Sequence, residues 1–294
     1  MRAVRETANA KINLYLDVLG IREDGYHEIK TVMHTVSLCD ELSVGIADAR
    51  ITTVSLTCEE NPYLPQDGRN LAVKAAELFL NRLGETATVT IKLKKHIPVA
   101  AGLAGGSSDA AAVLRALNKL FHRPFTRSAL CELGSALGSD VPYCIMGKTA
   151  LCTGRGEKLD YVYREPSLSL VVAIANEFVS TPEAYSALDA HYSGFTAENA
   201  SGGKEKYDII ASGLSCGELI TSGLFNAFEG AILPRCPGAT AIKEEMLKLG
   251  AVGALMSGSG PSVFGIFESD EAAQSAEAAL SALGYRAFAA HSVQ

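Results

Sequence analysis

Residues 98–118, PVAAGLAGGSSDAAAVLRALN, decide the fold of the sequence around them. Glycines and serines crowd positions 102–108, and an alanine-rich segment with leucines at helical spacing follows at once. The preceding residues 86–95, TATVTIKLKK, alternate apolar and polar side chains as a half-buried strand does. The pattern therefore predicts a strand, a glycine-rich loop and then a helix from about Ser107 to Phe121.

A glycine-rich loop that leads directly into a helix is suited to hold an anion. The first N–H groups of a helix have no intrahelical partner, and the helix dipole adds partial positive charge there. Ser107 and Ser108 are candidates to cap the helix or to donate to a phosphate, and Asp109 suits the dipole and a bound Mg²⁺. The alternative is a loop whose glycines serve only a tight turn.

The rest of the sequence adds strands and helices in an α+β order. Residues 11–19, KINLYLDVL, alternate with a period of two, whereas residues 70–84 have helical spacing, with Asn70 as a candidate N-cap and Gly84 as a stop. A new strand begins at about residue 168, and strands then follow helices to the end of the chain. This order predicts an α+β fold with mixed or antiparallel sheets, and a polar loop over residues 192–206.

Composition and charge exclude several classes of protein. The 294 residues are 48% hydrophobic, enough for one large or two medium cores, and the usual domain size favours two. A net charge of −7 argues against binding to nucleic-acid backbones, and the apolar runs are too short to span a membrane. No export signal is visible, and seven scattered cysteines are typical of reduced thiols. We therefore expect a cytoplasmic protein that binds neither nucleic acid nor membrane.

Two other phosphate-binding motifs do not match. The spacing of Gly102 and Gly105 does not give G-x-G-x-x-G, and no acidic residue closes a following strand at the required distance. The segment MGKT (146–149) has the tail of a P-loop, but the glycine required five residues before Gly147 falls at Pro142. Both nucleotide-binding classes are therefore disfavoured.

Four motifs together carry a family resemblance. Residues 98–111, PVAAGLAGGSSDAA, resemble the phosphate loop of the galactokinase, homoserine kinase, mevalonate kinase and phosphomevalonate kinase (GHMP) superfamily, with its proline, its Gly-Leu pair and its Ser-Ser-x-Ala-Ala end. ANAKINLYLDVLGIREDGYHEI (8–29), GSDVPYCIMGKTALCTGRGE (138–157) and LMSGSGPSVFGIF (255–267) match the order and spacing of one branch of that family. One departure is Ala104, where many members have glycine, and we expect a negative φ there to accommodate the methyl group.

The resemblance implies a two-domain fold and a kinase activity. An ATP-binding domain like the second domain of ribosomal protein S5 would cover residues 1–164, and a ferredoxin-like domain would cover residues 165–294. ATP, carried with Mg²⁺, would phosphorylate the 2-hydroxyl of a cytidine diphosphate-linked methylerythritol in the non-mevalonate route to isopentenyl diphosphate. A resident metal site is not expected, and the protein is expected to be a monomer or weak homodimer. The residues implied for ATP binding are Pro98, Val99, Ala100, Ala101, Gly102, Leu103, Ala104, Gly105, Gly106, Ser107, Ser108 and Asp109.

The resemblance also assigns two catalytic residues. Phosphoryl transfer requires two oxygens to be held in line, negative charge to be neutralised and the proton of the attacking hydroxyl to be removed. Asp140, in GSDVP, matches the general base of the family, although an aspartate in such a loop is otherwise typical of a turn. Lys11 matches the lysine that keeps this base ionised and stabilises the transferring group; otherwise it is an exposed strand lysine.

Acceptor recognition is expected from five residues with less specific patterns. Asn13 shares the strand face of Lys11 and suits the hydroxyl region of the acceptor. The resemblance assigns the other four residues to the cytidine end of the acceptor, with Tyr185 stacking on cytosine. An ordinary role stays open for each, such as a packed loop aromatic, a solvated histidine or a threonine that caps a helix. These residues are Asn13, Tyr26, His27, Thr181 and Tyr185. The resemblance implies that the segment SGSGPSV (257–263) closes over the phosphate loop, so Gly258, Ser259 and Gly260 are expected to help shape the active site; a tight β-turn is the alternative, and both can hold.

Three other functions stay open. Another small-alcohol kinase of the same superfamily, such as homoserine or mevalonate kinase, is disfavoured by the turn GYHE (25–28) and the strand AKINLYLDV (10–18). A ligand sensor without catalysis would be expected to lack Lys11 and Asp140. An RNA-binding module, which the N-terminal fold type also forms, is opposed by the acidic charge. For the adenine of ATP, the candidates are Asn70, Lys74 and Lys95.

Overall fold

Contacts within the chain divide it into two compact units that interleave along the sequence. The computed structural model describes residues 2–59, 61, 63–162, 164–192 and 203–293. Unit 1 comprises Met1–Ala10, Cys39–Val99 and Ala104–Gly147, and unit 2 comprises Lys11–Leu38, Ala100–Leu103 and Lys148–Gln294. The predicted domain boundary between residues 164 and 165 divides the chain at one place, whereas the two units exchange segments along the sequence. That boundary stays a prediction.

Two long strands contribute residues to both units. Strand β1 (Arg2–Ile21) contains the predicted strand over residues 11–19 and extends beyond it at both ends, and β2 (His27–Asp48) follows after a short turn. The amide of Arg22 donates to the carbonyl of Tyr26 across this turn at 2.7 Å. Strands β1 and β2 follow each other in sequence and are neighbours in one sheet, so they form a long hairpin.

Unit 1 is a sheet covered by helices. Strand β3 (Thr53–Thr57) runs parallel to β4 (Ala87–Lys94), β4 is antiparallel to β2, and the strand order is β3-β4-β2-β1. The helices are α1 (Leu71–Leu83), α2 (Gly105–Leu120), α3 (Arg127–Ser135) and α4 (Val141–Met146). The predicted cap of α1 is confirmed, because the Asn70 side chain accepts the amide of Ala72 at 2.9 Å. The shared core includes Phe79, Leu80, Ile91, Val113 and Leu117.

Helix α2 begins differently from the sequence prediction. It starts at Gly105, two residues before Ser107, because Ala104 takes the N-cap position with left-handed backbone at φ 56°. The expected negative φ at Ala104 is therefore wrong, and this conformation costs an alanine about 1–2 kcal/mol. No side chain caps the helix, and the Ser108 hydroxyl instead donates to the carbonyl of Asn9 at 2.7 Å. The predicted capping by Ser107 or Ser108 is wrong.

Unit 2 contains five helices and two groups of strands within the described residues. Strand β5 (Thr149–Thr153) pairs antiparallel with β2 and with β6 (Lys158–Tyr161), whereas β8 (Phe225–Asn226) runs parallel to β1. A separate antiparallel sheet has the order β11-β7-β10-β9, from β7 (Ser169–Ile174), β9 (Gly253–Met256), β10 (Val263–Phe267) and β11 (Arg286–His291). The helices are α5 (Thr181–His191), α6 (Gly203–Cys216), α7 (Glu229–Ile232), α8 (Pro237–Lys248) and α9 (Asp270–Ala282).

The structure confirms the predicted α+β fold. Three other expectations concern the loop over residues 192–206, membrane-spanning helices and the cysteines. Of the loop expected over residues 192–206, residues 193–202 lie outside the described residues and the last four are helical in α6. Over the described parts of the chain, no helix is both long and apolar enough to cross a membrane. All seven cysteines are free thiols, as the sequence predicted.

A buried histidine ties the C-terminal segment to β2 and β5 within unit 2. His34 is fully buried, with Nδ1 2.8 Å from Thr149 Oγ1 and Nε2 2.8 Å from Ser292 Oγ. The Ser292 hydroxyl oxygen also accepts the amide of Leu168 at 2.8 Å. Burial lowers the pKa of His34 to about 4, since the charged ring would lose its hydration. His34 is therefore a neutral bridge near neutral pH.

Candidate functional site

Gly102 is the position of the glycine-rich loop at which a side chain has no room. Its φ is 75°, and a Cβ built there would lie 2.2 Å from the carbonyl oxygen of Ser257. The Ser257 hydroxyl donates to the carbonyl of Gly102 at 3.1 Å, and the Ser262 hydroxyl donates to the carbonyl of Ala101. The segment SGSGPSV therefore packs directly on the loop, as the sequence predicted. We call Lys11, Gly102 and Ser257 the loop seam.

Lys11 is buried against the same loop rather than exposed on its strand. Only 5% of its surface is accessible, and its ammonium donates to the carbonyl of Gly102 at 3.2 Å and to Asn13 Oδ1 at 2.7 Å. Asn13 in turn donates through Nδ2 to Thr31 Oγ1 at 2.8 Å. The alternative of an exposed strand lysine is wrong, and Lys11 and Asn13 share one face of β1 as expected.

Buried charges support the start of α2 in unit 1. The Lys95 ammonium lies 2.5 Å from Asp40 Oδ2 and 2.9 Å from Asp109 Oδ2. Asp40 Oδ1 also accepts the amides of His96 and Ile97, at 2.6 and 2.8 Å. Asp40 thus fixes the backbone that enters the glycine-rich loop, and Lys95 joins that backbone to the first turn of the helix.

The two carboxylates share one ammonium, and the pKa values of Asp109 and Lys95 are both shifted. Burial raises the pKa of Asp109 to about 7; Lys95 opposes the shift, but the like charge of Asp40 adds to it. Burial pulls the pKa of Lys95 down, yet the charges of Asp109 and Asp40 outweigh burial and the net direction is upward. The ammonium of Lys95 is therefore charged, since it lies between two carboxylates.

The donor set around Asp109 fits a magnesium ion that arrives with a nucleotide. Asp109 Oδ1 is buried and has no hydrogen-bond partner among the described residues. Carboxylate and hydroxyl oxygens are the ligands that Mg²⁺ accepts, and Ser107 lies in the same helical turn. The residues present therefore suit the predicted Mg²⁺.

Asp140 lies at the start of α4 in unit 1. It occupies the N-cap position, but its side chain makes no capping bond to that helix. Gly138 is close to α2, since a Cβ built on it would lie 3.9 Å from Ser107 Oγ. The start of α4 is therefore a neighbour of the first turn of α2. Asp140 belongs to unit 1 and Lys11 to unit 2, and their pairing stays a prediction.

Two of the predicted acceptor residues lie together in unit 2. The ring of His27 stacks on Tyr185 with 4.4 Å between centroids and 29° between planes, and Tyr185 meets the ring of Phe228 edge-on at 4.9 Å. His27 Nε2 lies 2.8 Å from Asp189 Oδ1. We call His27, Tyr185 and Asp189 the ring cluster. The predicted stacking of Tyr185 on cytosine stays untested, whereas its stacking on His27 is a direct contact.

Tyr26 and Thr181 have other neighbours. Tyr26 is 56% exposed, and the guanidinium carbon of Arg155 lies 4.6 Å from its ring centroid. Thr181 is the first residue of α5, but the cap is Ser180, so the alternative of a capping threonine is wrong. Thr181 Oγ1 lies 3.3 Å from Ser259 Oγ, which connects it to the segment SGSGPSV.

Sequence reasoning missed several residues that hold these groups in place. Asp40 had only a weak signal, since it is followed directly by Glu41 in β2 and only the structure shows that Asp40 is fully buried. Asp189 had another, since it follows Tyr185 by four residues and therefore shares its helix face. Side chains that bond to distant backbone have no such signal. The residues missed are Thr31, Asp40, Asp189, Ser257 and Ser262.

Family models match both halves of the chain. Residues 70–148 match the model described as GHMP kinases N terminal domain, and residues 212–286 match GHMP kinases C terminal. The first match includes the glycine-rich loop and Asp140, and the second includes the segment SGSGPSV.

Relatives match over nearly the full length. The chain is 44% identical over 277 residues to 4-diphosphocytidyl-2-C-methyl-D-erythritol kinase of Macrococcus caseolyticus, covering 94% of this chain and 95% of that protein. It is 45% identical to the protein of the same name from Bacillus cereus, covering 90% and 88%. A crystal structure of 4-(cytidine 5'-diphospho)-2C-methyl-D-erythritol kinase is 34% identical, with a TM-score of 0.80 and coverage of 99% and 100%. Homoserine kinase from Cytophaga hutchinsonii, 21% identical with a TM-score of 0.76 and coverage of 100% and 95%, shares the fold.

Proposed function

The chain belongs to the 4-diphosphocytidyl-2-C-methyl-D-erythritol kinases of the GHMP family, and from this membership we propose its reaction and the residues that perform it. The protein transfers the γ-phosphoryl group of ATP to the 2-hydroxyl of 4-diphosphocytidyl-2-C-methyl-D-erythritol. This step belongs to the non-mevalonate route to isopentenyl diphosphate. The observation that carries the proposal is the match of relatives of one name over at least nine-tenths of this chain.

Asp140 is the proposed general base. Its carboxylate takes the proton of the acceptor 2-hydroxyl as that oxygen forms a bond to the γ-phosphorus, and the bond from the γ-phosphorus to the β–γ bridging oxygen breaks to release ADP. The position of Asp140 supports this role in two respects. Asp140 stands at the start of α4, and α4 begins beside the first turn of α2, where a phosphate would lie.

Lys11 and the glycine-rich loop are proposed to neutralise the charge of the transferring group. The ammonium of Lys11 is fixed by a loop carbonyl and by Asn13, so that it needs little reorganisation during transfer. Backbone N–H groups of the loop and of the first residues of α2, within residues 99–107, cradle the phosphates of ATP. Asp109 and Ser107 would hold Mg²⁺ that arrives with ATP, and the ion would add positive charge next to the phosphates.

The ring cluster is the proposed site for the cytidine end of the acceptor. His27 and Tyr185 lie together and offer an aromatic surface with a polar edge, which suits a pyrimidine base. Tyr26 and Thr181 are assigned to the same acceptor, and Asn13 to its hydroxyl region. A cytoplasmic monomer or weak homodimer is the proposed form of the protein, and its seven free thiols support a reducing compartment.

The test is ADP release from Mg·ATP by the purified protein. 4-Diphosphocytidyl-2-C-methyl-D-erythritol, homoserine and mevalonate are offered in parallel, and we expect turnover with the cytidyl acceptor alone. Preference for homoserine or mevalonate would contradict the proposed substrate and leave the kinase chemistry intact. Silence with all three would contradict the proposed activity and favour the ligand sensor.

A further inference from the structure

Helix α5 holds the ring of His27 at two points one helical turn apart. Tyr185 and Asp189 are separated by four residues and therefore project from one face of the helix. Tyr185 stacks on the plane of the imidazole, and Asp189 Oδ1 lies 2.8 Å from Nε2 at its edge. A stacked ring fixes the plane, and an in-plane hydrogen bond fixes the rotation within that plane. Together these contacts leave His27 one orientation.

The partner at Nε2 also decides which ring nitrogen carries the proton. An ionised carboxylate has no proton to donate, so it accepts a hydrogen bond and requires N–H at Nε2. In the neutral imidazole, Nδ1 is then the nitrogen with the lone pair and acts as an acceptor. Asp189 thus selects one tautomer as well as one orientation of His27.

This tautomer has consequences for the choice of base. Cytosine carries an amino group at C4, which donates, whereas uracil carries an oxygen at the same position, which accepts. A ring nitrogen with a lone pair pairs with the amino group and repels the oxygen. A site built around one hydrogen-bond polarity rejects the opposite polarity, because a buried polar group is then left unpaired.

We propose that Asp189 is a positioning residue that holds His27 with Nδ1 as an acceptor and thereby makes the site select a 4-amino pyrimidine over a 4-oxo pyrimidine. The inference rests on the proposed function, since it requires the cytidine end of the acceptor to lie at the ring cluster. A stabilising role alone is a weak explanation of this hydrogen-bonded pair. The side chains of His27 and Asp189 are 12% and 37% exposed, and pairs open to solvent contribute little to folding.

The test compares CDP and UDP as competitive inhibitors against the cytidyl acceptor in the ADP-release assay. The wild-type protein is expected to bind CDP more tightly than UDP. Asp189→Asn offers both a carbonyl and an amide N–H to Nε2 and so permits either tautomer. We expect it to lower the preference for CDP over UDP about tenfold, through weaker CDP and tighter UDP inhibition, and to raise KM for the acceptor with kcat within about twofold of wild type. Glu244→Gln, which removes the same charge from an exposed position on α8, is the matched control.

A double-mutant cycle separates positioning from folding. In a His27→Ala background, Asp189→Asn should have no further effect on CDP inhibition, because the ring through which it acts is absent. An equal loss of CDP and UDP in Asp189→Asn, or no loss of either, would overturn the inference. So would a wild-type protein that turns over the cytidyl acceptor yet binds UDP as tightly as CDP. A wild-type protein that fails to turn over this acceptor overturns the proposed function, and the inference with it.

Discussion

The loop seam and the ring cluster belong to the same unit and are built in opposite ways. At the seam, a lysine with 5% exposure donates to the backbone carbonyl of Gly102 as well as to Asn13, and Gly102 lies where any Cβ would strike Ser257. In the ring cluster, side chains meet side chains, and the carboxylate of Asp189 remains 37% exposed. The difference suggests a division of labour: fixed backbone serves the transfer step, which demands exact placement, and adaptable side chains serve recognition. Changes to the transfer machinery should therefore lower kcat, and changes to the cluster should raise KM.

The largest expected effect extends the comparison to the proposed base. Asp140→Asn should lower kcat about a thousandfold, because the amide cannot take the hydroxyl proton, and should leave ATP binding within about twofold. Steady-state kinetics and nucleotide titration measure the two quantities, with Asp160→Asn, at an exposed position on β6, as the control. Near-normal turnover would remove Asp140 from the role of base.

Lys11→Met tests the seam itself. The substitution keeps much of the side-chain volume and removes the charge, so we expect kcat to fall about a hundredfold with little change in KM for either substrate. The same kinetic assay measures it. A loss confined to ATP affinity would make Lys11 a binding residue and weaken the contrast between seam and cluster.

Gly102→Ala tests whether the seam depends on bare backbone. The methyl group would meet the Ser257 carbonyl at 2.2 Å at a residue with φ 75°, so the loop must move. We expect about a tenfold higher KM for ATP and a loss of about 3 kcal/mol in the free energy of unfolding, measured by urea titration. Gly68→Ala is the control, since a Cβ there meets no atom within 4 Å. Equal behaviour of the two variants would contradict the steric argument.

Tyr185→Leu tests the cluster. Loss of the aromatic face should raise KM for the cytidyl acceptor about fivefold and leave kcat within about twofold. Tyr63→Leu, at a tyrosine with 93% exposure, is the control. A fall in kcat with unchanged KM would place Tyr185 with the transfer machinery and break the proposed division.

Protonation of His34 is expected to lower the stability of the protein in acid and to change its activity least, because His34 belongs to neither the loop seam nor the ring cluster. The folded pKa of His34, about 4, lies below its ordinary value of 6.5, so the unfolded chain binds more protons between these values. Stability is thus full above about pH 6.5 and falls by up to about 3 kcal/mol as the pH drops to 4. Thermal midpoints between pH 7 and 4 measure the slope, which should be flatter in His34→Gln than in a control, His291→Gln. An unchanged slope would exclude His34 as its source.

Prediction from sequence succeeded where a local pattern determines the structure. The start of α1 after Asn70 and its end before Gly84 were predictable, because capping interactions act within a few residues. The alternation over residues 11–19 identified β1. The α+β fold followed from the order of such elements. Asp40 and Ser257 escaped because their partners, Ile97 and Gly102, are distant in sequence. Ala104 misled because only the completed loop shows that its φ is positive.

The interleaving of the two units bears on how the chain is made. Every residue of unit 1 precedes Lys148, whereas unit 2 needs residues from both halves of the sequence. All residues of unit 1 are therefore synthesised by the midpoint of translation, before most of unit 2 exists. Lys11 leaves the ribosome among the first residues, yet Ser257, which completes the seam against Gly102, is synthesised some 246 residues later. The nascent chain therefore carries its proposed catalytic lysine for most of its synthesis without its final surroundings, and a chain that ends before Ser257 lacks the contact that completes the seam.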